Sequence, residues 1–173
     1  MKKLLFLFSL LCILVSCTDT ETTENTEDYS LIHVNDSLPT FSVETSDGTV
    51  YSDLSLRGSV AVIVFFNTGC SDCRQELPQI ESFYEKYRDN PQVKLIAISR
   101  EENAEDIAAY WNSAGFSFPY SAQTDRTVYS WFASQNIPRI YITDPEGRVR
   151  FLFSDTNMPD ESVLSDAVKS CLP

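Results

Sequence analysis

Two cysteines, Cys70 and Cys73, are the side chains in this chain best placed to do chemistry. They directly follow the apolar run Val60–Phe66 and a short loop over residues 67–69. A dithiol between a buried strand and a helix lies at the helix N-terminus, where free backbone N–H groups and the helix dipole favour a thiolate. A thiolate there can attack a disulfide and then be released by the second thiol one turn away. The spacing predicts a redox-active pair, with Cys70 as nucleophile and Cys73 as resolving thiol; a structural disulfide is the alternative.

The segments around this pair alternate between strand and helix patterns. Val60–Phe66 is a continuous apolar run, as expected for a central strand covered on both faces, and residues 71–88 repeat apolar side chains at helical spacing. The other predicted elements are a hairpin over 41–51, strands over 93–99, 139–143 and 148–153, and helices over 104–114, 125–132 (capped by Asp125) and 159–170. Right-handed crossovers then give parallel central strands with an antiparallel edge.

The N-terminus predicts export. Residues 1–16 combine a basic start with an apolar run that is too short to span a bilayer, which is typical of a signal peptide. The run ends at Leu14-Val15-Ser16-Cys17, which resembles the lipobox of bacterial lipoproteins, so Cys17 is predicted to be acylated; an ordinary signal peptide with a stray cysteine is the alternative. Residues 17–34 are expected to form an acidic, disordered tether, and residues 35–173 one domain. This places the protein in the cell envelope, on the periplasmic face, anchored to a membrane through acylated Cys17.

Charge and cysteine usage narrow the classes of function. The chain has 13 basic and 25 acidic residues, and removing the signal with Lys2 and Lys3 leaves 11 minus 25, or −14. Such a surface argues against nucleic acid and against electrostatic attachment to anionic lipid. Cys171 is predicted to be an inert residue of the last helix, with an intermolecular or regulatory thiol as the alternative. His33, the single histidine, is not expected to have a role.

Short motifs lie on both sides of the cysteine pair, and they occur in a recognisable order along the chain. They are Pro39-Thr40-Phe41, Asp47-Gly48, Leu56-Arg57-Gly58-Ser59, the run 70–78 (CSDCRQELP), Phe118-Pro119, Asp125, Ile137-Pro138 and Asp144-Pro145-Glu146-Gly147. In these motifs the chain resembles the TlpA/ResA-like thiol-disulfide oxidoreductases, the exported and membrane-tethered branch of the thioredoxin superfamily. The resemblance runs from about Leu38 to the C-terminus. It implies a thioredoxin-like α/β fold, with a central mixed sheet flanked by helices, an N-terminal β-hairpin and a central insertion.

The resemblance also implies roles for residues around the pair. Pro138 resembles the cis-proline that faces the dithiol in this fold, so that Ile137 offers its backbone to an extended substrate; a trans-proline that starts a strand is the alternative. Two departures from the family concern the substrate-binding rim: Gly69 replaces a tryptophan, and Arg139 replaces a threonine. The positive charge of Arg139 is expected near the site, where it selects acidic substrates or supports the thiolate.

Glu76 resembles the acidic residue that the family keeps near its cysteines. It lies three residues beyond Cys73, on the same helix face, so that its carboxylate could exchange a proton with the Cys73 thiol. A solvated surface glutamate is the alternative. Asp72, between the cysteines, opposes a thiolate on Cys70, which favours a reductase or exchange role over a strong oxidase.

These residues predict an oxidoreductase without a cofactor or metal, since the electrons reside on sulfur. Its expected partners are disulfide-bearing envelope proteins, such as apocytochromes, and an upstream membrane thiol reductant. A peroxiredoxin-like peroxidase is one rival, although its Pro-x-x-x-Thr-x-x-Cys pattern would need proline and threonine where Ile63 and Asn67 stand. A metal carrier would need more ligands than one cysteine pair. A lipid-anchored binding module whose disulfide is only structural is the third rival.

Overall fold

A five-stranded mixed sheet organises the part of the chain that the structure describes, residues 28–173 of a computed structural model. In chain order the elements are β1 (Ser42–Glu44), β2 (Val50–Ser52), β3 (Val60–Phe66), α1 (Ser71–Tyr87), β4 (Val93–Ser99), α2 (Ala104–Ala114), β5 (Tyr120–Ser121), a 3-10 turn (Tyr129–Trp131), β6 (Arg139–Thr143), β7 (Val149–Ser154) and α3 (Glu161–Cys171). The strand order is β5-β4-β3-β6-β7, with β3, β4 and β5 parallel and with β6 and β7 antiparallel to their neighbours. Strands β1 and β2 form a separate antiparallel hairpin. The predicted α/β architecture is confirmed.

Strand β3 is the centre of the core. All seven of its residues are buried, because β4 and β6 flank it and side chains cover both of its faces. Successive residues of a strand point to opposite faces. Phe65 accordingly packs against Tyr129 and Phe132, and Phe66 packs against Trp111 of α2. The end of this rigid strand therefore gives the following loop a fixed starting point.

The folded domain begins earlier than the boundary predicted at residue 35. Ser30 forms an isolated antiparallel bridge with Ala133, and the Leu31 and Ile32 N–H groups donate to the Phe132 carbonyl at 2.9 and 3.2 Å. Composition favoured a tether here, but backbone hydrogen bonds of this kind do not depend on side-chain polarity. Residues 28–34 thus pack on the domain. The predicted signal peptide, Cys17 and the rest of the tether lie outside the described residues.

Two further elements differ from expectation. The predicted short helix over 125–132 is only the 3-10 turn Tyr129–Trp131, and the Asp125 carboxylate accepts from the Thr127 N–H at 2.8 Å instead of capping it. Strand β5 was not predicted, since two residues carry no readable periodicity. None of the helices within residues 28–173 has the length and apolar character needed to cross a membrane.

Candidate active site

The two sulfurs of the predicted pair lie at different depths. Cys70 is the N-cap of α1, and its Sγ accepts from the Cys73 N–H at 3.3 Å. Cys70 is half-buried, whereas Cys73 is completely buried, and both are free thiols. A molecule approaching from solvent therefore meets the Cys70 sulfur first.

The loop before Cys70 is held by the segment that follows β4. The Asn67 side chain donates from Nδ2 to the Arg100 carbonyl at 2.9 Å and accepts from the Gly69 N–H at 2.8 Å. The Glu102 carboxylate accepts from the Thr68 N–H at 2.9 Å and also from the Thr68 hydroxyl. Sequence reasoning missed the Glu102 contact, because Thr68 and Glu102 come together only through the pairing of β3 with β4.

Gly69 is part of this bonded loop. A Cβ atom added there would lie 3.0 Å from the Asn67 Oδ1 atom, which is closer than side-chain carbons normally approach. Any larger residue, including the tryptophan expected from the resemblance, would need the Asn67 amide to move. The glycine leaves the rim beside Cys70 open.

The Ile137–Pro138 peptide bond is cis and faces the dithiol, as predicted. The Cys70 thiol donates to the Ile137 carbonyl across 3.5 Å. Ile137 and Pro138 are both buried, and Ile137 lines the cavity beside Cys70. The loop before β6 thus brings backbone groups to the exposed sulfur.

Glu76 is buried, with 3% of its surface exposed, so the alternative of a solvated glutamate is wrong. Its Oε1 atom has no hydrogen-bond partner among the described residues. Burial raises the pKa of this carboxyl to about 7, with a smaller contribution from the negative charge of Asp160. Glu76 therefore exchanges its proton near neutral pH.

Burial raises the pKa of two of the thiols, Cys73 and Cys171. The pKa of Cys73 is raised, first by burial and then by its hydrogen bond with Cys70, while the positive charge of Arg100 opposes the rise. This direction agrees with the depth expected of a resolving thiol. Burial also raises the pKa of Cys171, at the end of α3. Cys171 does not line the cavity of Cys70, and an inert Cys171 stays a prediction.

Arg139 does not bring its charge to Cys70, and the expectation that it would do so is corrected. The side chain is only 3% exposed. Its Nε donates to the Gln135 and Asn136 carbonyls at 3.1 and 3.2 Å, and Nη1 donates to Ser30 Oγ at 2.7 Å. The guanidinium instead lines a different cavity, together with Asp28 and Ser30. The pattern Pro-Arg could not reveal this direction, because it depends on the partner that the N-terminal segment supplies.

The arginines that do lie beside Cys70 are Arg100 and Arg126, which sequence reasoning missed. They line one cavity with the following residues: Cys70, Asp72, Ser134, Gln135, Asn136, Ile137 and Asp155. Neither belongs to a motif, since Arg100 follows β4 and Arg126 precedes the 3-10 turn. Within residues 28–173, no three His, Cys, Asp or Glu side chains are grouped so that they could hold a metal ion.

Comparisons with known proteins agree with this geometry. Residues 34–152 match the model of the AhpC/TSA family. The chain belongs to the AhpC/TSA family. It is 25% identical over 135 residues to the thiol-disulfide oxidoreductase ResA of Bacillus subtilis, a match that covers 78% of this chain and 74% of ResA.

Two solved structures extend the likeness to the fold. A solution structure from Bacteroides thetaiotaomicron, described as a candidate protein disulfide isomerase, is 27% identical with a TM-score of 0.73 and covers 82% of this chain and 89% of that one. A thiol:disulfide interchange protein from Chlorobium tepidum has a TM-score of 0.68 at 22% identity, over 82% of this chain and 99% of that one, and shows the fold alone. The predicted resemblance is confirmed: this member of the family is a ResA-like thiol-disulfide oxidoreductase of the thioredoxin superfamily.

Proposed function

We propose that the protein is exported, tethered to a membrane, and reduces or exchanges disulfides of envelope proteins through Cys70 and Cys73. The observation that carries this proposal is the position of the Cys70 sulfur. It is accessible at the start of α1, 3.3 Å from the Cys73 nitrogen and 3.5 Å from the Ile137 carbonyl oxygen. A client segment that lies along Ile137 would bring its disulfide to this sulfur.

The reaction proceeds in two exchanges. The Cys70 thiolate attacks one sulfur of the client disulfide, a mixed disulfide forms, and the first client thiolate leaves and takes a proton. The Cys73 thiol then loses its proton and attacks Cys70 Sγ, which forms the Cys70–Cys73 disulfide and releases the second client thiol. The client gains two electrons and two protons. An upstream membrane thiol reductant then returns the pair to the dithiol.

Four neighbouring residues assist in this scheme. Ile137 offers backbone groups for strand-like pairing with the client, with Pro138 shaping that loop. Gly69 leaves room on the rim for the client chain. Glu76 accepts the Cys73 proton in the second exchange, because a buried carboxyl with a pKa of about 7 can both take and return a proton at neutral pH.

Trapping tests the proposal directly. In a Cys73→Ser variant the first exchange should stop at a mixed disulfide through Cys70, and non-reducing gels with mass spectrometry would identify the client. A Cys171→Ser background removes the third free thiol, and the double variant Cys70→Ser, Cys73→Ser is the matched control. Adducts of equal yield in the double variant would contradict the proposal.

The direction of electron flow follows from the redox potential. We expect a value near that of a reductant, roughly −270 mV, rather than that of a strong oxidant, roughly −120 mV.

The same purified protein tests the alternative of a peroxidase. Of the two positions where that pattern needs proline and threonine, Ile63 lies within β3, and the Asn67 amide is bound to the backbone of Arg100 and Gly69. Peroxide consumption faster than disulfide reduction would favour that rival.

The tether is a separate part of the proposal. Acylated Cys17 would hold the domain at the cell envelope, with the periplasmic face as the working side. A Cys17→Ser variant of the full chain should lose incorporation of a labelled fatty acid and leave the membrane fraction. Unchanged labelling of that variant would rule out Cys17 as the lipid site without affecting the redox chemistry.

A further inference from the structure

Two arginines form one wall of the cavity beside Cys70. Their guanidinium carbons lie 5.1 Å (Arg100) and 5.7 Å (Arg126) from the centre of the Tyr129 ring. The ring is buried, and its hydroxyl donates to the Asn136 carbonyl at 2.6 Å, so it is held in place by the loop that leads to Ile137. A fixed aromatic ring thus holds two positive charges in the cavity that Cys70 also lines.

The described residues supply few hydrogen-bond acceptors and little negative charge to the guanidinium groups of these two arginines. The Arg100 side chain makes no hydrogen bond to any residue from 28 to 173, and its buried Nε is without a partner. Arg126 donates once, from Nη2 to the Ser134 carbonyl at 3.1 Å. A single carboxylate oxygen, Glu101 Oε2, lies 3.7 Å from the Nε of both arginines, which is too long for a hydrogen bond. One negative charge faces two positive ones.

Unused guanidinium donors next to a substrate cavity suit a planar anion. A carboxylate can accept two parallel N–H groups from one guanidinium, and such bonds are among the stronger ones in proteins. Asp72 and Asp155 line the same cavity and would repel an acidic group that comes close to them. Within this cavity, the two guanidinium groups are the donors that suit a carboxylate.

We propose that Arg100 and Arg126 bind a carboxylate that the client carries close to its reacting cysteine, an inference that rests on the disulfide exchange proposed above. The class of substrate is a disulfide with an aspartate or glutamate on one side. The full chain has a net charge of −12, so an acidic client is repelled at long range. Short-range recognition by the arginine pair offsets this repulsion at the site.

Peptide disulfides test the inference. The dithiol protein reduces two pairs of peptide disulfides, and in each pair one peptide has glutamate and the other has glutamine next to the reacting cysteine. This residue lies on the N-terminal side of the cysteine in the first pair and on its C-terminal side in the second. In one pair we expect kcat/KM to favour the glutamate peptide about tenfold, and to favour it less at higher salt. Arg126→Gln and Arg100→Gln should each bring that ratio towards one. Arg150→Gln, an exposed arginine on β7, should keep it.

The outcomes separate this inference from the function on which it rests. Reduction of all peptides with equal kcat/KM would overturn the arginine site and leave the oxidoreductase intact. No reduction of any peptide would overturn the proposed function itself. If the Arg100 and Arg126 variants slow every peptide equally and move the pH profile of Cys70 alkylation, the arginines act on the thiolate and the inference is wrong.

Discussion

Glu76 and Arg139 are buried to the same extent, each with 3% of its surface exposed, yet their surroundings differ. Arg139 donates to two carbonyls and one hydroxyl, which link the loop before β6 to the N-terminal segment. Glu76 has an oxygen without a hydrogen-bond partner in the described chain, and the charge that contributes to its raised pKa, that of Asp160, is also negative. Glu76 lies on α1, and Arg139 begins β6 directly after Pro138.

The difference distinguishes a buried side chain that stabilises the structure from one whose pKa suits proton transfer. A buried guanidinium that donates to several acceptors holds those partners in place. A buried charge without such bonds moves its pKa towards neutrality, so it gains or loses a proton under ordinary conditions. Arg139 therefore links the loop that carries Ile137 to the N-terminal segment, whereas Glu76 has the raised pKa that the proposed proton transfer from Cys73 requires.

Replacing Arg139 with methionine should produce the largest effect. The change leaves the Ser30 hydroxyl and two carbonyls without their donor, so we expect the free energy of unfolding to fall by about 3 kcal/mol. Urea unfolding of the reduced protein measures it. The matched change Arg150→Met, at an exposed position, should cost less than about 0.5 kcal/mol. Equal stability of the two variants would show that the Arg139 bonds contribute little.

Glu76 should make the stability depend on pH in the opposite sense from an ordinary carboxyl. Its pKa is raised from 4.5 to about 7 in the folded protein, so the folded state holds a proton that the unfolded state has released. The stabilisation is complete below pH 4.5 and is lost as pH rises through 7. Between about pH 5.5 and about pH 8 the loss should be about 2 kcal/mol.

The variant Glu76→Gln isolates this effect, because glutamine does not ionise. The difference in unfolding free energy between wild type and variant should change over that pH range, while Glu85→Gln, on an exposed part of α1, should track wild type throughout. A difference that stays constant with pH would mean that Glu76 keeps its usual pKa.

The same variant should slow the second exchange more than the first. Without the Glu76 carboxylate, the Cys73 thiol loses the group that takes its proton, and resolution of the mixed disulfide should slow about tenfold near neutral pH. Stopped-flow kinetics with a client peptide resolve the two exchanges. Alkylation of Cys70 should keep its rate, because that thiol is accessible at the helix start. Equal slowing of both steps would point to a general distortion of α1.

Local patterns were enough to predict the fold and the reacting atoms. The Val60–Phe66 run and the helical spacing after it predicted β3 and α1, because each is encoded by a few adjacent residues, whereas the cis peptide bond was expected only from the family resemblance. The hydrogen-bond partners of buried charged side chains could not be predicted from local patterns. Ser30 and Arg139 lie 109 residues apart in the chain, and only the folded packing shows that they bond to one another.

The same limit explains why Arg139 was expected at the site and Arg100 was not. A sequence motif tells which residue follows the proline, but the direction of a long side chain depends on which acceptors the fold supplies. Arg139 finds three acceptors within the fold and does not line the cavity of Cys70, whereas Arg100, which no motif marked, lines that cavity with unused donors.

Ser30→Ala should give the smallest effect and shows how much of the Arg139 contribution passes through the N-terminal segment. The bond from Arg139 Nη1 is lost together with the side-chain hydrogen bond to Asp28, while the two carbonyl bonds of Arg139 remain, so the expected cost is about 1 kcal/mol. Ser113→Ala, at an exposed serine of α2, is the control and should change stability less. Faster proteolytic cleavage near residue 30 would accompany the loss, since the segment 28–34 is bound to the domain partly through this hydroxyl. A cost as large as that of Arg139→Met would mean that the carbonyls of Gln135 and Asn136 do not need their donor, and that Arg139 acts on the N-terminal segment alone.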